Sequence, residues 1–172
     1  MERSGQRVRI VQLSGPVLAA LAAGELDKAA ALSPVPLTEY LVGPECRGTW
    51  AMRRDQVARD PAEAGWVTGV IRDEQRQLTV GRAGFHARPG ADGLVEIGYA
   101  VDPAYRRRGY ARAAFEALLA RAAADPLVRR VRVTISPDNK ASYALVAQYG
   151  FTEVGEQWDD EDGLEISYEA DA

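Results

Sequence analysis

A turn of six residues, Arg106 to Ala111, joins an apolar strand to an amphipathic helix and constrains the fold more than any other feature of the chain. It reads Arg-Arg-Arg-Gly-Tyr-Ala and follows a strand predicted over Leu94 to Val101. A helix that begins directly after a strand leaves the N–H groups of its first turn unpaired, at the positive end of the helix dipole. Such groups favour a phosphate or diphosphate ligand. Gly109 permits both a tight turn and the close approach of that ligand.

The other side chains of this turn support the same interpretation. Ala111 is a second small residue, at a position where a large side chain would crowd the ligand. Arg106, Arg107 and Arg108 add positive charge around the mouth of the turn, and guanidinium groups bind phosphates well. The turn therefore predicts a bound diphosphate, and we expect it to be part of a cofactor.

Length and composition indicate the general class of protein. A chain of 172 residues, 47% hydrophobic and 27% charged, has the size and composition of one globular domain with a substantial core. The net charge of −4 argues against general nucleic-acid binding. Cys46 is the single cysteine, which excludes an internal disulfide and a cysteine metal cluster and fits a reducing compartment. No signal peptide or bilayer-spanning run is evident, so we expect a cytoplasmic protein that binds no membrane.

Hydrophobic periodicity and turn residues predict one mixed α/β domain over residues 1–172. The section around residues 33–44 is rich in Pro and Gly and gives no clear prediction. The predicted strands are 8–13, 66–71, 78–87, 94–101 and 131–135, followed by a closing hairpin of 151–158 and 164–168. The predicted helices are 17–23, 25–32, 45–59, 110–124 and 139–149, the last with Asn139 as N-cap and Gly150 as C-cap. A polar turn is predicted over 72–76.

Three features stand in a fixed order along the chain: the 106–111 turn, Asn139-Lys140-Ala141-Ser142 and Tyr149-Gly150-Phe151. Together they resemble the GNAT superfamily of N-acetyltransferases, whose signature is Arg/Gln-x-x-Gly-x-Gly/Ala. The run Val-Glu-Ile-Gly-Tyr-Ala-Val-Asp-Pro at 95–103 is most similar to the branch that acetylates ribosomal-protein N-termini. The resemblance covers residues 65–170 well, and the N-terminal third only in the order of its elements. It implies a central, mostly antiparallel sheet flanked by helices.

The resemblance also implies acetyl-CoA as co-substrate, with no metal. In this family the backbone N–H groups of the turn, here Arg107 to Ala111, hold the pyrophosphate of CoA. The strand before the turn splays from its neighbour at Tyr99 to Val101 and pairs with the pantetheine arm. Asn139 matches a position whose side chain reaches that arm. The cofactor-binding residues that the resemblance implies are Tyr99, Ala100, Val101, Arg106, Arg107, Arg108, Gly109, Tyr110, Ala111, Asn139 and Ser142.

Acetyl transfer to an amine needs a neutral nitrogen, a polarised thioester and a proton for the leaving thiolate. Glu96 occupies a strand position where several family members carry the base, and a backbone N–H near Val101 would polarise the thioester. Many members carry a proton-donating tyrosine seven residues after the asparagine, but this chain has Val146 there. Ser142, which the N-terminal acetylating branch also carries, is the candidate donor in its place.

Each candidate also has a structural interpretation. Glu96 fits a solvated or arginine-paired carboxylate as well as a base, and Ser142 fits a residue that only caps its helix. His86, the only histidine, is expected on a strand face rather than as a base. The acidic run 159–162 is expected as a solvated hairpin tip, with contact to a cationic substrate as the other option.

The sequence thus predicts an N-acetyltransferase that moves acetyl from acetyl-CoA to a primary amine by direct attack. The acceptor stays open between a protein N-terminus and a small molecule such as an amino acid, a polyamine or an aminoglycoside-like compound. The alternative is a catalytically silent CoA-binding regulatory or interaction module. A nucleotide-phosphate binder is a third option, although the turn lacks the P-loop and dinucleotide fingerprints. The family resemblance also allows a homodimer.

Overall fold

A seven-stranded sheet forms the centre of the computed structural model, which describes residues 5–172 and so leaves the polar start of the chain, residues 1–4, outside it. The strands are β1 (Arg9–Val11), β2 (Gly69–Asp73), β3 (Leu78–Phe85), β4 (Leu94–Val101), β5 (Arg130–Ile135), β6 (Thr152–Asp159) and β7 (Gly163–Asp171). Their order across the sheet is β1-β2-β3-β4-β5-β7-β6. Among the strands of residues 5–172, only β4 and β5 pair in parallel. The predicted fold class, a mostly antiparallel mixed sheet with helices, is confirmed.

In the part of the chain that the structure describes, five α-helices accompany the sheet: α1 (Gly15–Ala22), α2 (Leu26–Leu32), α3 (Pro44–Arg59), α4 (Tyr110–Ala124) and α5 (Lys140–Val146). Proline stands in the first turn of α1 and of α3, where its missing N–H costs no hydrogen bond. Short 3₁₀ helices lie at Glu39–Val42, Pro61–Gly65, Pro103–Tyr105 and Ala147–Tyr149. Within residues 5–172, no helix combines the length and the apolar character needed to cross a bilayer.

Two apolar clusters cover the two faces of the sheet. Neighbouring residues of a strand point to opposite faces, and in β2 Val70 joins one cluster while Ile71 joins the other. The first cluster packs α4 on the central strands, with Phe85 and Phe115 fully buried. The second packs α1 and α3 around Trp50, which is also fully buried. Each large side chain buried in this way contributes about 1.5–3 kcal/mol, so both helix layers are firmly attached.

The parallel pair β4–β5 is short, and this shapes the centre of the molecule. The two strands pair over four positions only, from Leu94↔Arg130 to Ile97↔Val133. Beyond that point β4 stays paired with β3 as far as Val101, and β5 stays paired with β7 as far as Ile135. The two strands therefore separate and open a wedge in the middle of the sheet, as the resemblance implies.

The strand predicted over 66–71 was misplaced, because β2 runs over Gly69–Asp73. Arg72, expected in the following turn, lies in the strand and is buried. The strand carries a register shift after Ile71, and the guanidinium of Arg72 donates to Gln77 Oε1 at 2.9 Å. Arginine is almost never fully buried without a partner, so its presence after an apolar run favours an exposed turn. Here the partner comes from the hairpin itself.

The helix predicted over 139–149 is shorter than expected. α5 ends at Val146, and Ala147–Tyr149 continues as a 3₁₀ turn. Gly150 follows with φ +77° and ends the segment, which agrees with its predicted role as a C-cap.

Candidate active site

The turn between β4 and α4 presents an unusual number of free backbone donors. Gly109 caps α4 with φ +86°, and Arg107 also has a positive φ of +60°. The N–H groups of Arg107, Arg108 and Gly109 meet no acceptor among residues 5–172. Those of Tyr110 and Ala111 lie in the first turn of α4, where no intrahelical acceptor exists. Left-handed residues followed by a helix N-terminus form the arrangement that binds anions through backbone N–H groups.

Two side chains of the turn attach it to the sheet instead of facing a ligand. The hydroxyl of Tyr110 donates to Oδ2 of Asp73 at 2.7 Å, and both residues are buried. The Nε of Arg106 donates to the carbonyl oxygen of Val101 at 3.0 Å. Tyr110 therefore offers a ligand only its backbone N–H, and Arg106 tethers the turn to the end of β4.

The charge on Asp73 is stabilised from three directions. Burial raises the pKa of this carboxyl, but hydrogen bonds from the Tyr110 hydroxyl, from the Arg76 N–H at 3.0 Å and from its guanidinium at 3.2 Å bring the pKa below the ordinary value. Burial, and then the contact with Asp73, raise the pKa of Tyr110. At neutral pH the pair is therefore a carboxylate bound by a protonated phenol, which holds the start of α4 against the end of β2.

The edge of β4 that faces the wedge carries free backbone groups. The Glu96 carbonyl accepts from the His86 N–H at 2.8 Å, so even-numbered residues of β4 direct their N–H and C=O groups towards β3. Because successive residues of a strand direct their backbone groups to opposite sides, the N–H and C=O groups of Tyr99 and Val101 point into the wedge. Ala100 pairs with β3 and does not offer its backbone there. Tyr99 thus presents both backbone groups and Val101 its N–H.

A cavity of about 610 Å³ connects this strand edge to the turn and to the start of α5. Its lining includes every residue that the resemblance implies for cofactor binding except Arg108. Arg108 instead lies with its guanidinium carbon 5.8 Å from the ring centre of Tyr105. The free donors of the turn and the free edge of β4 therefore line one continuous space.

Asn139 and Ser142 lie at the junction of that cavity with the wedge. Asn139 Oδ1 accepts from the Ser142 N–H at 3.1 Å and caps α5, as the sequence predicts. The Tyr99 hydroxyl donates to Ser142 Oγ at 3.1 Å, while its ring packs edge-on against Phe115. Burial raises the pKa of Tyr99, although the contact with Ser142 opposes this. Val146, at the position of the missing family tyrosine, is buried in the core.

A second cavity of about 300 Å³ lies on the other side of this junction. Tyr99, Asn139 and Ser142 line both cavities, so the two spaces meet at these residues. Asp162 of the acidic hairpin turn and Glu165 of β7 also line the second cavity. The hairpin tip therefore reaches the site.

Glu96 lies against His86, which lines this second cavity. Oε2 of Glu96 is 3.5 Å from Nδ1 of His86. Burial raises the pKa of Glu96, but the contacts with His86, Thr134 and Arg132 lower it by more. The pKa of Glu96 therefore lies below that of an ordinary glutamate. Glu96 is therefore ionised at neutral pH and is a weaker base than a free glutamate.

His86 is the residue of this site that the sequence interpretation missed. It lines the second cavity, although the sequence indicated only a strand-face position. Its neighbour Phe85 pairs with Ile97, so His86 falls opposite Glu96 on the adjacent strand. A count of the antiparallel register through the turn after β3 could have placed the two together.

Comparison with known proteins gives consistent similarities. A family model described as an acetyltransferase (GNAT) domain matches residues 19–152. The uncharacterized N-acetyltransferase YjdG of Bacillus subtilis (strain 168) is 28% identical over 98 residues, 57% of this chain and 58% of that protein. L-2,4-diaminobutyric acid acetyltransferase of Streptomyces anulatus is 38% identical over 84 residues, 49% of this chain and 39% of that protein. The matches thus span less than two thirds of either relative.

Among solved structures, RimL, a ribosomal L7/L12 alpha-N-protein acetyltransferase in complex with coenzyme A, has a TM-score of 0.66 at 19% identity. The similarity covers 97% of this chain and 95% of that one. At this level of identity the likeness concerns the fold.

Proposed function

The chain belongs to the GNAT acetyltransferase family, and from this premise we propose that it transfers the acetyl group of acetyl-CoA to a primary amine by direct attack. The observation that carries the proposal is the single cavity in which a free strand edge runs into a turn of free N–H donors. A free strand edge binds an extended chain of amides, and N–H groups at a helix N-terminus bind a diphosphate. CoA has both parts in that order.

Within this proposal the turn and the edge of β4 bind different parts of acetyl-CoA. The N–H groups of Arg107 to Ala111 bind the pyrophosphate, and Arg106 holds the turn in place from Val101. The backbone groups of Tyr99 and the N–H of Val101 bind the pantetheine amides. The reacting end of the donor then lies at the junction of the two cavities, beside Ser142.

The amine enters through the second cavity. Its carboxylates, Asp162 and Glu165, favour a cationic acceptor over a neutral or anionic one. Two similar proteins are consistent with amine chemistry: the name of one specifies diaminobutyric acid, and that of the other a protein N-terminus. The hydroxyl of Ser142 supplies the proton to the leaving thiolate, and Glu96 places negative charge near the amine.

Replacement of Gly109 tests the role of the turn. Ala at φ +86° strains the backbone by about 1–2 kcal/mol, and relief of that strain moves the N–H groups. We expect Gly109→Ala to weaken acetyl-CoA binding about tenfold or more in calorimetry, since 1.4 kcal/mol is about tenfold in affinity.

Gly150→Ala is the matched control because Gly150 has φ +77° and open space around its Cα but lies outside the turn. It should lose similar stability in urea and keep wild-type affinity for acetyl-CoA. Equal affinities of the two variants would contradict the role of the turn.

A further inference from the structure

We propose that His86 is the base that takes the proton from the acceptor ammonium, with Glu96 as the positioning residue behind it. This inference rests on the proposed function, because it requires an amine acceptor. The task that the sequence assigns to Glu96 thereby passes to the residue that directly follows the neighbouring strand β3.

The backbone of His86 is held by three hydrogen bonds. Its N–H donates to the carbonyl of Glu96 at 2.8 Å. Its carbonyl accepts from Gln56 Nε2 at 2.8 Å and from Arg53 Nη1 at 3.2 Å, both on α3. Arg53 is itself buried and bonded to Thr68. A base must be held in a fixed place to work, and two layers of the fold hold this one.

The two ring nitrogens of His86 have different surroundings. Nδ1 lies 3.5 Å from Glu96 Oε2. Nε2 lies over Gly98, where an added Cβ would come within 2.7 Å of it. A neutral imidazole that directs its Nδ1–H to the carboxylate keeps a free lone pair on Nε2. The side chain of His86 is 44% exposed and that of Glu96 24%, so the imidazole is the more accessible base.

The charges around the imidazole come from four elements. Glu96 faces it from β4, and Arg132 of β5 in turn acts on Glu96. Arg53 of α3 contacts the histidine carbonyl. Asp162 and Glu165 of the β6–β7 hairpin line the same cavity. The three carboxylates favour both an ammonium in the cavity and the imidazolium that forms when the proton moves.

The proton balance of the transfer is complete with these groups. Nε2 takes one proton from the ammonium, and the freed lone pair forms a C–N bond to the acetyl carbon. The C–S bond breaks, and the thiolate receives the second nitrogen proton by way of the Ser142 hydroxyl. The imidazolium returns its proton to water. The products are an amide and a thiol.

One test measures the histidine directly. His86 is the only histidine, so in tag-free protein nitrogen NMR at alkaline pH assigns the tautomer of its imidazole without ambiguity. We expect the wild-type imidazole to carry its proton on Nδ1, and we expect Glu96→Ala, which removes the acceptor of that N–H, to shift the proton towards Nε2. The same tautomer in both proteins would overturn the role of Glu96.

The second test uses turnover. We expect His86→Gln to lower kcat/KM about 10²-fold at neutral pH, with acetyl-CoA affinity unchanged, and to approach the wild-type rate at alkaline pH, where the amine loses its proton unaided. A loss equal at every pH would indicate a merely structural role, and no loss would also overturn the proposal. If the wild-type protein acetylates no amine, the proposed function itself fails, which is a distinct result.

Discussion

At the scale of single residues, the hydroxyl groups of Tyr99 and Ser142 lie at the junction of the two cavities. Ser142 Oγ accepts from the Tyr99 hydroxyl, so the proton of Ser142 is free to point elsewhere. Burial keeps Tyr99 protonated by raising its pKa. With Val146 buried at the usual tyrosine position, this pair is the proton source for the thiolate in our proposal.

Substitutions at Ser142 and Tyr99 test whether Tyr99 acts through Ser142. Ser142→Ala should lower kcat about 10²-fold with acetyl-CoA affinity retained. Tyr99→Phe keeps the ring on Phe115 and should have a smaller effect. The double variant should be no slower than Ser142→Ala, because Tyr99 acts through Ser142. Thiol-release kinetics measure all three, and losses that add independently would contradict the pairing.

At the scale of elements, the strand–turn–helix of β4 and α4 could be predicted from sequence, because local signals determine it. The bounds of β4 are those predicted, and Gly109 adopts the left-handed conformation that the tight turn requires. β2 was misplaced because the partner that allows Arg72 to be buried comes from the hairpin. His86 was missed as a site residue for a similar reason: its meeting with Glu96 depends on cross-strand register.

The buried contact between Tyr110 and Asp73 joins two of these elements. Tyr110→Phe removes a donor from a buried carboxylate and should cost about 1–3 kcal/mol at neutral pH. Because the pKa of Asp73 is depressed in the folded state, its stabilising effect is present above the unfolded carboxyl's range, about pH 4, and is lost as pH falls through the folded pKa. Urea unfolding should therefore show a smaller difference from wild type at low pH.

Tyr105→Phe is the control for that substitution. The ring of Tyr105 packs edge-on against Tyr110, and its hydroxyl has no hydrogen bond among residues 5–172. It should change the free energy of unfolding by less than about 0.5 kcal/mol. A Tyr110→Phe protein as stable as Tyr105→Phe at neutral pH would contradict the anchoring role of the phenol.

At the scale of the whole molecule, the first apolar cluster spans β2 to β5 on one face of the sheet and the second packs on the other face, while β4 and β5 separate beyond Ile97. The cavity between β4 and the 106–111 turn and the second cavity meet at this separation. The sequence could indicate the wedge through its resemblance to the family. It could not indicate the second cavity, because that space is built from β4, β5, the residue after β3 and the distant hairpin.

The central claim is acetylation of a primary amine, and its most direct test is a thiol-release screen with acetyl-CoA. The amines would include short peptides with varied first residues, diamino acids, polyamines and amino sugars, with mass spectrometry of each product. We expect at least one primary amine to yield free thiol and acetylated product in equal amounts. Acetyl-CoA binding with no thiol released from any amine would contradict the claim and favour a CoA-binding module without chemistry.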